Sequence, residues 1–129
     1  MKLTFTILFL FLTLANAYGY EIDRALAIKA IIGEAENQGL VGMTAVGEAI
    51  RNRGHLKGVY GVKSKRVNKA PKWVYKQAEK AWDDSANTNL VKGADHWEST
   101  DFKQPSWSIN MKETAKIGKH RFYRSGGSK

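Results

Sequence analysis

The 129-residue sequence contains no cysteine. This absence excludes disulfide bonds, thiol redox chemistry and thiolate nucleophiles, so the core must hold the fold together by itself. Several catalytic motifs are absent as well. The chain has no HExxH, no zinc-binding cysteine pair, no glycine-rich phosphate loop and no GxSxG elbow, which sets aside the chemistries that depend on them.

One long apolar run stands at the amino terminus. Lys2 precedes an almost wholly apolar stretch from Leu3 to Leu14, and Ala15-Asn16-Ala17 follows as an A-x-A cleavage site. The stretch falls short of the roughly 20 apolar residues that a membrane-spanning helix needs. We therefore expect residues 1–17 to be a signal peptide, and the protein to be exported to the periplasm, the cell wall or the medium. An uncleaved signal would leave it tethered to a membrane surface.

Residues 18–129 are enough for one compact domain and too few for two. They carry 20 basic and 12 acidic residues, a formal charge of +8. This balance favours an anionic partner such as nucleic acid, an anionic membrane or the acidic polymers of a cell wall. Export argues against nucleic acid. We expect a monomer without a permanent membrane span.

Apolar residues recur at helical spacing in several segments of this domain. Asp23 is a suitable N-cap for the first helix, and Pro71 suits the first turn of the third. The predicted helices cover residues 23–37, 41–53, 72–83 and 110–117. Gly39 and Gly54 are expected to end the first two, which form a helical hairpin.

The remaining segments lack helical periodicity. Residues 54–69, rich in glycine and lysine, are expected to form a long loop or an irregular β-excursion. Residues 93–108 are expected to line a cleft as a loop or short strands, and residues 120–124 to form a terminal strand or loop. Residues 125–129 are expected to be a disordered tail. The segments together predict a small, mainly α domain, with α+β as the alternative.

A carboxylate interrupts the apolar run of the first predicted helix, in Ile31-Ile32-Gly33-Glu34-Ala35. A carboxylate in low-polarity surroundings tends to stay protonated, because desolvation disfavours its charged form. That is the state a general acid needs near neutral pH. At 100° per residue, Glu34 lies at the border of the apolar face beside small side chains, which leave room for a ligand. Glu34 is therefore the candidate for catalysis.

Other polar and aromatic residues admit two interpretations each. Asp95, His96 and Glu98, with His120, could hold a metal ion, but their spacing matches no known site, so turn capping and cleft hydrogen bonding are favoured. No metal or cofactor is expected. Among the tryptophans, Trp73 and Trp82 are predicted to lie in the core, whereas Trp97 and Trp107 either stack on sugar rings or pack in the core.

Four segments in order, which carry five motifs, resemble one family. IIGEAENQGLVGMTAVGEAIRNR, GADHW, QPSW and IGKHRFY are similar to the catalytic domain of bacterial cell-wall hydrolases of the spore-cortex-lytic type. Its pattern is a Gly-Glu-Ala box, a Gly-x-x-Ala-Val stretch running into Asn-Arg, a Gly-Ala-x-His/aromatic segment, a Pro-x-Trp and an Ile-Gly-x-His-x-Phe-Tyr terminus. The resemblance implies a lysozyme-like domain that cleaves peptidoglycan glycan strands between N-acetylmuramic acid and N-acetylglucosamine.

The resemblance also implies roles for individual residues. Glu34 matches the catalytic glutamate, and Asn52 and Arg53 are expected to tie the second helix to neighbouring loops. The sequence departs from the family at Glu36, where many members have a basic residue, and in the lysine-rich segment 54–69. The substrate-binding candidates are His96, Trp107, His120 and Tyr123, although His120 could brace the cleft instead of lining it. The matching positions Ala94 and Gly118 are given no role.

The family-like segments supply one catalytic carboxylate, which is enough for a lytic transglycosylase. The muramic acid's own 6-hydroxyl then replaces an enzymic nucleophile, with proximity as the driving factor. Hydrolysis as a muramidase would need a second carboxylate, for which Glu48, Asp95 and Asp101 are candidates, although Glu48 is expected to be a solvated partner of Arg51. The alternative from another class is a basic envelope-binding protein without turnover.

Overall fold

The computed structural model describes residues 22–126. The predicted signal peptide and residues 127–129 lie outside the described residues. None of the helices within residues 22–126 has the length and apolar character needed to cross a membrane. The elements in chain order are α1 (Arg24–Ala35), α2 (Gly39–Arg53), a 3-10 helix (Tyr60–Lys63), α3 (Lys65–Lys69), α4 (Lys72–Ser85), β1 (His96–Ser99), a second 3-10 helix (Ser106–Ser108), β2 (Lys112–Ile117) and β3 (His120–Arg124).

The first two helices form the predicted helical pair. The Asp23 carboxylate caps α1 by accepting the backbone N–H of Leu26 at 3.0 Å. α1 ends at Ala35, two residues before the predicted end, and Gly39 begins α2 instead of terminating α1. α2 ends where predicted, because Gly54 adopts φ +83° and its N–H bonds back to the helix.

α4 packs against α1 and α2 through a stripe of residues spaced three and four apart. Trp82 belongs to this stripe and is buried, as predicted, whereas Trp73 is 63% exposed, so its assignment to the core was wrong. Trp73 lies one residue before Val74, the first member of the stripe, and one residue is a rotation of about 100° on a helix. The stripe consists of Val74, Ala78, Ala81, Trp82 and Ser85.

Glu48 corrects the prediction that this side chain is a solvated partner of Arg51. It is only 4% exposed. Its two carboxylate oxygens accept hydrogen bonds from the Thr88 hydroxyl and from the backbone N–H groups of Leu90 and Val91. Glu48 therefore fixes the connection that follows α4.

Arg51 is also engaged on the inner side of α2. Its guanidinium lies 3.8 Å from the centroid of the Trp82 ring and donates hydrogen bonds to the Ser85 hydroxyl and the Trp82 carbonyl. This packing accounts for the lowered pKa of Arg51, since burial disfavours its charge. Arg51 thus joins α2 to α4.

The segment predicted as a loop or β-excursion folds instead into the first 3-10 helix and α3. It is held against α1 by an unusually close approach of two glycines. A Cβ placed on Gly33 would lie 1.9 Å from the carbonyl oxygen of Gly61, a distance that no side chain could occupy. Val59 and Val67, which precede and follow Gly61 in the sequence, are buried. The segment's few apolar residues, dispersed among lysines, gave no periodic signal of this packing.

The three strands form one antiparallel sheet in the order β1-β3-β2. The helix predicted over residues 110–117 is wrong, because Lys112–Ile117 is β2. Its helix-favouring residues are overridden by pairing with β3 across the two-residue turn Gly118-Lys119. The predicted short strand within residues 93–108 and the terminal strand at residues 120–124 are β1 and β3.

Replacing Gly33 with alanine tests the close approach of α1 and the 3-10 helix. Helix propensity alone predicts that Gly33→Ala stabilises the protein by about 1 kcal/mol. The contact with Gly61 predicts the opposite: the free energy of unfolding should fall by about 1–3 kcal/mol, because α1 or the 3-10 helix must move to make room for the methyl group. Urea unfolding distinguishes the two outcomes, and a stabilised variant would contradict the glycine contact.

Candidate active site

A cleft of about 460 Å³ opens between α1, the segment before α3 and the sheet. Glu34 lines it from the last turn of α1, and His120 from the start of β3. The cleft thus collects side chains that are distant in sequence. The remaining lining residues are Gly33, Asn37, Gln38, Ser64, Arg66, Trp97, Glu98, Ser99, Asp101, Phe102 and Lys119.

The Glu34 carboxylate is held in one orientation by Trp97. The indole Nε1–H donates a hydrogen bond of 2.9 Å to Glu34 Oε1. On the other side Gly61 packs so closely that an added Cβ would lie 2.7 Å from both Glu34 Cγ and Oε2. Arg53 lies over the Trp97 ring, 5.7 Å from its centroid. The neighbours of Glu34 are small, as expected, but the carboxylate faces a polar cleft rather than an apolar one.

His120 is buried beside the carboxylates of the cleft. Its Nδ1 is inaccessible to solvent and has no hydrogen-bond partner among the described residues. Burial lowers the pKa of His120, although the negative charges of Glu34, Glu98 and Asp101 oppose the shift. The imidazole is therefore biased toward its neutral form.

Strand alternation separates the residues predicted to bind substrate. Successive side chains of a strand point to opposite faces, so His120 and Phe122 share the face of β3 that turns to the core and the cleft. Their rings meet edge to face at 6.1 Å. Arg121 and Tyr123 occupy the other face. Of the four candidates, only His120 lines the cleft with Glu34.

His96, Trp107 and Tyr123 form a second cluster on that opposite face. The Trp107 ring lies 5.6 Å from the His96 ring and 5.6 Å from the Tyr123 ring, the latter edge to face. The Tyr123 hydroxyl donates to Glu98 Oε2 at 3.0 Å. Burial raises the pKa of Tyr123, and the hydrogen bond to the Glu98 carboxylate raises it further.

Glu98 joins this aromatic cluster to the cleft. Its side chain is 9% exposed and forms an ion pair with Arg121. Its Oε1 is buried without a hydrogen-bond partner among the described residues. Glu98 lines the cleft as well, so it lies where the two groups of candidate residues meet.

Asp95 is engaged in local hydrogen bonds. It accepts the backbone N–H and the hydroxyl of Ser125, and its Oδ1 lies 3.0 Å from His96 Nδ1. Burial tends to raise the pKa of Asp95, but the hydrogen bonds from Ser125 and His96 outweigh it, and the pKa is lowered. Ser125, the first residue of the predicted disordered tail, is thereby fixed to Asp95.

The residues considered for a metal site are not grouped. Asp95 and His96 bond to each other, Glu98 pairs with Arg121, and His120 lies on the other face of the sheet. Within residues 22–126, no three His, Asp or Glu side chains are arranged to hold a metal ion.

Two connections join the end of α2 to residues 94–97: Asn52 contacts the loop before β1, as the sequence suggested, whereas Arg53 contacts β1 itself. Asn52 Nδ2 donates to the Ala94 carbonyl at 2.8 Å, and Arg53 covers Trp97. Gln38 adds a third that the sequence did not reveal, because its Oε1 accepts the backbone N–H of Lys119 in the turn before β3. This bond fixes the β-turn beside the end of α1.

The helices and the sheet face each other across the cleft that Glu34 lines from the first helix. Two solved structures share the fold. The catalytic domain of the Bacillus cereus SleB protein is 25% identical, with a TM-score of 0.60, and the match covers 79% of this chain and 89% of that domain. The catalytic domain of the germination-specific lytic transglycosylase SleB from Bacillus anthracis is 24% identical, with a TM-score of 0.58 and coverages of 83% and 98%.

These neighbours confirm the resemblance to the spore-cortex-lytic type and the prediction of a mainly helical, lysozyme-like domain. No protein-family model matches the sequence. No curated protein matches it significantly either.

Stability should depend on the protonation of His120. Its pKa in the folded protein is lowered from the ordinary value of 6.5, so below that pH the unfolded chain binds more protons than the folded one. The free energy of unfolding should therefore decrease as pH falls through 6.5 toward the folded pKa. Urea unfolding at pH 7.5 and 5.5 measures this, and His120→Gln should reduce the difference.

The control is His55→Gln, since His55 is exposed. It should leave the pH dependence as in the unaltered protein. Equal effects of the two substitutions would contradict the burial of a neutral His120.

Proposed function

We propose that this chain cleaves peptidoglycan glycan strands between N-acetylmuramic acid and N-acetylglucosamine as a lytic transglycosylase, with Glu34 as both acid and base. The observation that carries the proposal is Glu34 itself, a carboxylate oriented by Trp97 inside a cleft of about 460 Å³. The likeness to two SleB catalytic domains, one described as a germination-specific lytic transglycosylase, supports it.

In each reaction cycle Glu34 must give up one proton and later take up another. Oε1 of Glu34 accepts the indole N–H, so the transferable proton resides on Oε2. Glu34 gives this proton to the glycosidic oxygen as the bond from the anomeric carbon to that oxygen breaks. The 6-hydroxyl oxygen of the same muramic acid then bonds to the anomeric carbon, and its proton passes to Glu34. The carboxylic acid is restored and a 1,6-anhydro end is left.

The surroundings of the other carboxylates favour this route over hydrolysis. Glu48 is buried and accepts hydrogen bonds from backbone N–H groups, and Asp95 is hydrogen-bonded to Ser125 and His96. Glu98 lines the cleft but is paired with Arg121. Asp101 also lines the cleft and is exposed, so a muramidase mechanism would have to recruit Asp101 as its second carboxylate.

The proposed binding residues divide into two groups. His120 contacts the substrate in the cleft, where its neutral imidazole can accept or donate a hydrogen bond. His96 and Trp107 would contact a part of the strand that extends over the opposite face of the sheet, and Tyr123, which is buried against Trp107, would support that contact. The chain acts as an exported monomer, with residues 1–17 as its signal peptide.

Replacing Glu34 tests the proposal directly. Glu34→Gln removes the transferable proton, so the rate of cleavage of purified peptidoglycan should fall by about 100- to 10,000-fold while binding to wall fragments remains. The matched control is Glu36→Gln, two residues along and outside the cleft lining, which should cleave normally.

Mass spectrometry of the products gives the reaction type. Ends with 1,6-anhydro-muramic acid are expected, and reducing ends would replace the transglycosylase with a muramidase. Binding without any cleavage by the unaltered protein would favour the envelope-binding alternative, and a Glu34→Gln variant as active as the unaltered protein would overturn the role of Glu34.

Trp97→Phe tests the orientation of the carboxyl group. Phenylalanine keeps an aromatic ring but removes the N–H that binds Glu34 Oε1. Losing a hydrogen bond to the carboxylate that forms when Glu34 gives up its proton should lower kcat by roughly 10- to 100-fold. Trp73→Phe is the control, since Trp73 is exposed and lies outside the cleft lining. If kcat is unchanged in Trp97→Phe, the indole does not orient the acid.

A further inference from the structure

The net positive charge of this protein comes from one part of the chain. Residues 49–78 contain nine lysines and arginines and no aspartate or glutamate. The rest of the sequence contains twelve basic and twelve acidic residues. The whole formal charge of +9 therefore comes from these thirty residues, which include the segment that departs from the family pattern.

Seven of the nine basic side chains are exposed. The other two, Arg51 and Arg53, pack on Trp82 and Trp97. Among residues 22–126, the ion pairs join Arg24 to Asp83, Lys80 to Asp84, His96 to Asp95 and Arg121 to Glu98, and the seven take part in none. We call them the basic surface: Lys57, Lys63, Lys65, Arg66, Lys69, Lys72 and Lys76.

The basic surface has an ordered base. Val67 of α3 is buried, and the Tyr75 hydroxyl of α4 donates to its carbonyl at 2.8 Å. Lys65 and Lys69 are one helical turn apart on the side of α3 away from Val67. Ser64 caps α3 by accepting the backbone N–H of Arg66. These contacts hold the charges on a fixed scaffold.

The basic surface continues into the cleft. Ser64 and Arg66 belong to the same short segment as Lys63 and Lys65, and both line the cleft that contains Glu34. Tyr60, in the preceding 3-10 helix, is 80% exposed. An exposed aromatic ring among cations suits a ligand that has both sugar rings and negative charge.

We propose that the basic surface binds the carboxylates of the glycan strand whose cleavage site occupies the cleft. The proposal rests on the proposed function, since it takes peptidoglycan as the substrate. Each muramic acid bears a lactyl group, and the peptides attached there end in carboxylates. A strand that leaves the cleft past Arg66 brings these groups over Lys63, Lys65 and Lys69. Continuity with the cleft favours the substrate's own carboxylates over a separate polyanion.

The test measures binding of soluble, peptide-bearing glycan fragments to the Glu34→Gln protein at low salt. The triple substitution Lys63→Gln, Lys65→Gln and Lys69→Gln should weaken binding about tenfold. It should also make binding less sensitive to added salt. Fragments whose carboxylates have been converted to amides should bind equally well to the Glu34→Gln protein with and without the triple substitution.

The control removes the same charge elsewhere. Lys103→Gln, Lys112→Gln and Lys116→Gln lie on exposed positions outside the basic surface and should leave binding unchanged. Equal losses in the two triple variants would overturn the proposal, because net charge would then suffice. The proposal would also be overturned if the first triple variant lost as much binding to amidated fragments as to unmodified ones. The same holds if its binding is weakened only for a phosphodiester polymer or duplex DNA.

Failure of the proposed function has a different signature. If the unaltered protein does not shorten the glycan fragments, the enzyme assignment fails. Carboxylate-dependent binding through the three lysines would still be measured in that case. If the protein cleaves but the lysine substitutions change nothing, only the basic surface is contradicted.

Discussion

The active-site geometry depends on the contact between Gly33 and Gly61. It allows the segment after α2 to lie directly on α1, where any side chain would collide with backbone. That segment closes one side of the cleft, and its Gly61 packs against the Glu34 side chain. Trp97 fixes the carboxylate from the sheet side. Glu34 is therefore held between two elements that are far apart in sequence, and the segment that contains Gly61 could not approach so closely if Gly33 carried a side chain.

The sheet divides the remaining functional candidates by strand alternation. β3 turns His120 toward the carboxylates of the cleft and Tyr123 toward Trp107 on the other face. Glu98 lies at the boundary, since it lines the cleft and also binds Arg121 and Tyr123. The opposite wall of the cleft is basic, through Arg66. The cleft thus has the carboxylates of Glu98 and Asp101 on the sheet side, together with Lys119 in the turn before β3, and Arg66 on the α3 side.

Features that depend on local sequence were predicted well, and features that depend on distant contacts were not. The Asp23 cap, the Gly54 stop and the buried Trp82 follow from helical periodicity and capping. The strand at residues 112–117 was read as a helix, because its pairing with β3 overrides the helix propensity of its residues. Glu48 and Trp97 were not assigned their contacts, since the partners of Glu48 lie 40 or more residues away and Glu34 lies 63 residues from Trp97.

In the proposed reaction Glu34 acts alone, and the substrate's own hydroxyl replaces water as the nucleophile. Cleavage of purified peptidoglycan in water enriched in ¹⁸O tests this most directly. Transglycosylation should give muramic acid ends that carry no label and are lighter than hydrolysed ends by one water molecule. Incorporation of one ¹⁸O at the anomeric carbon of each new end would contradict it, because water would then have attacked.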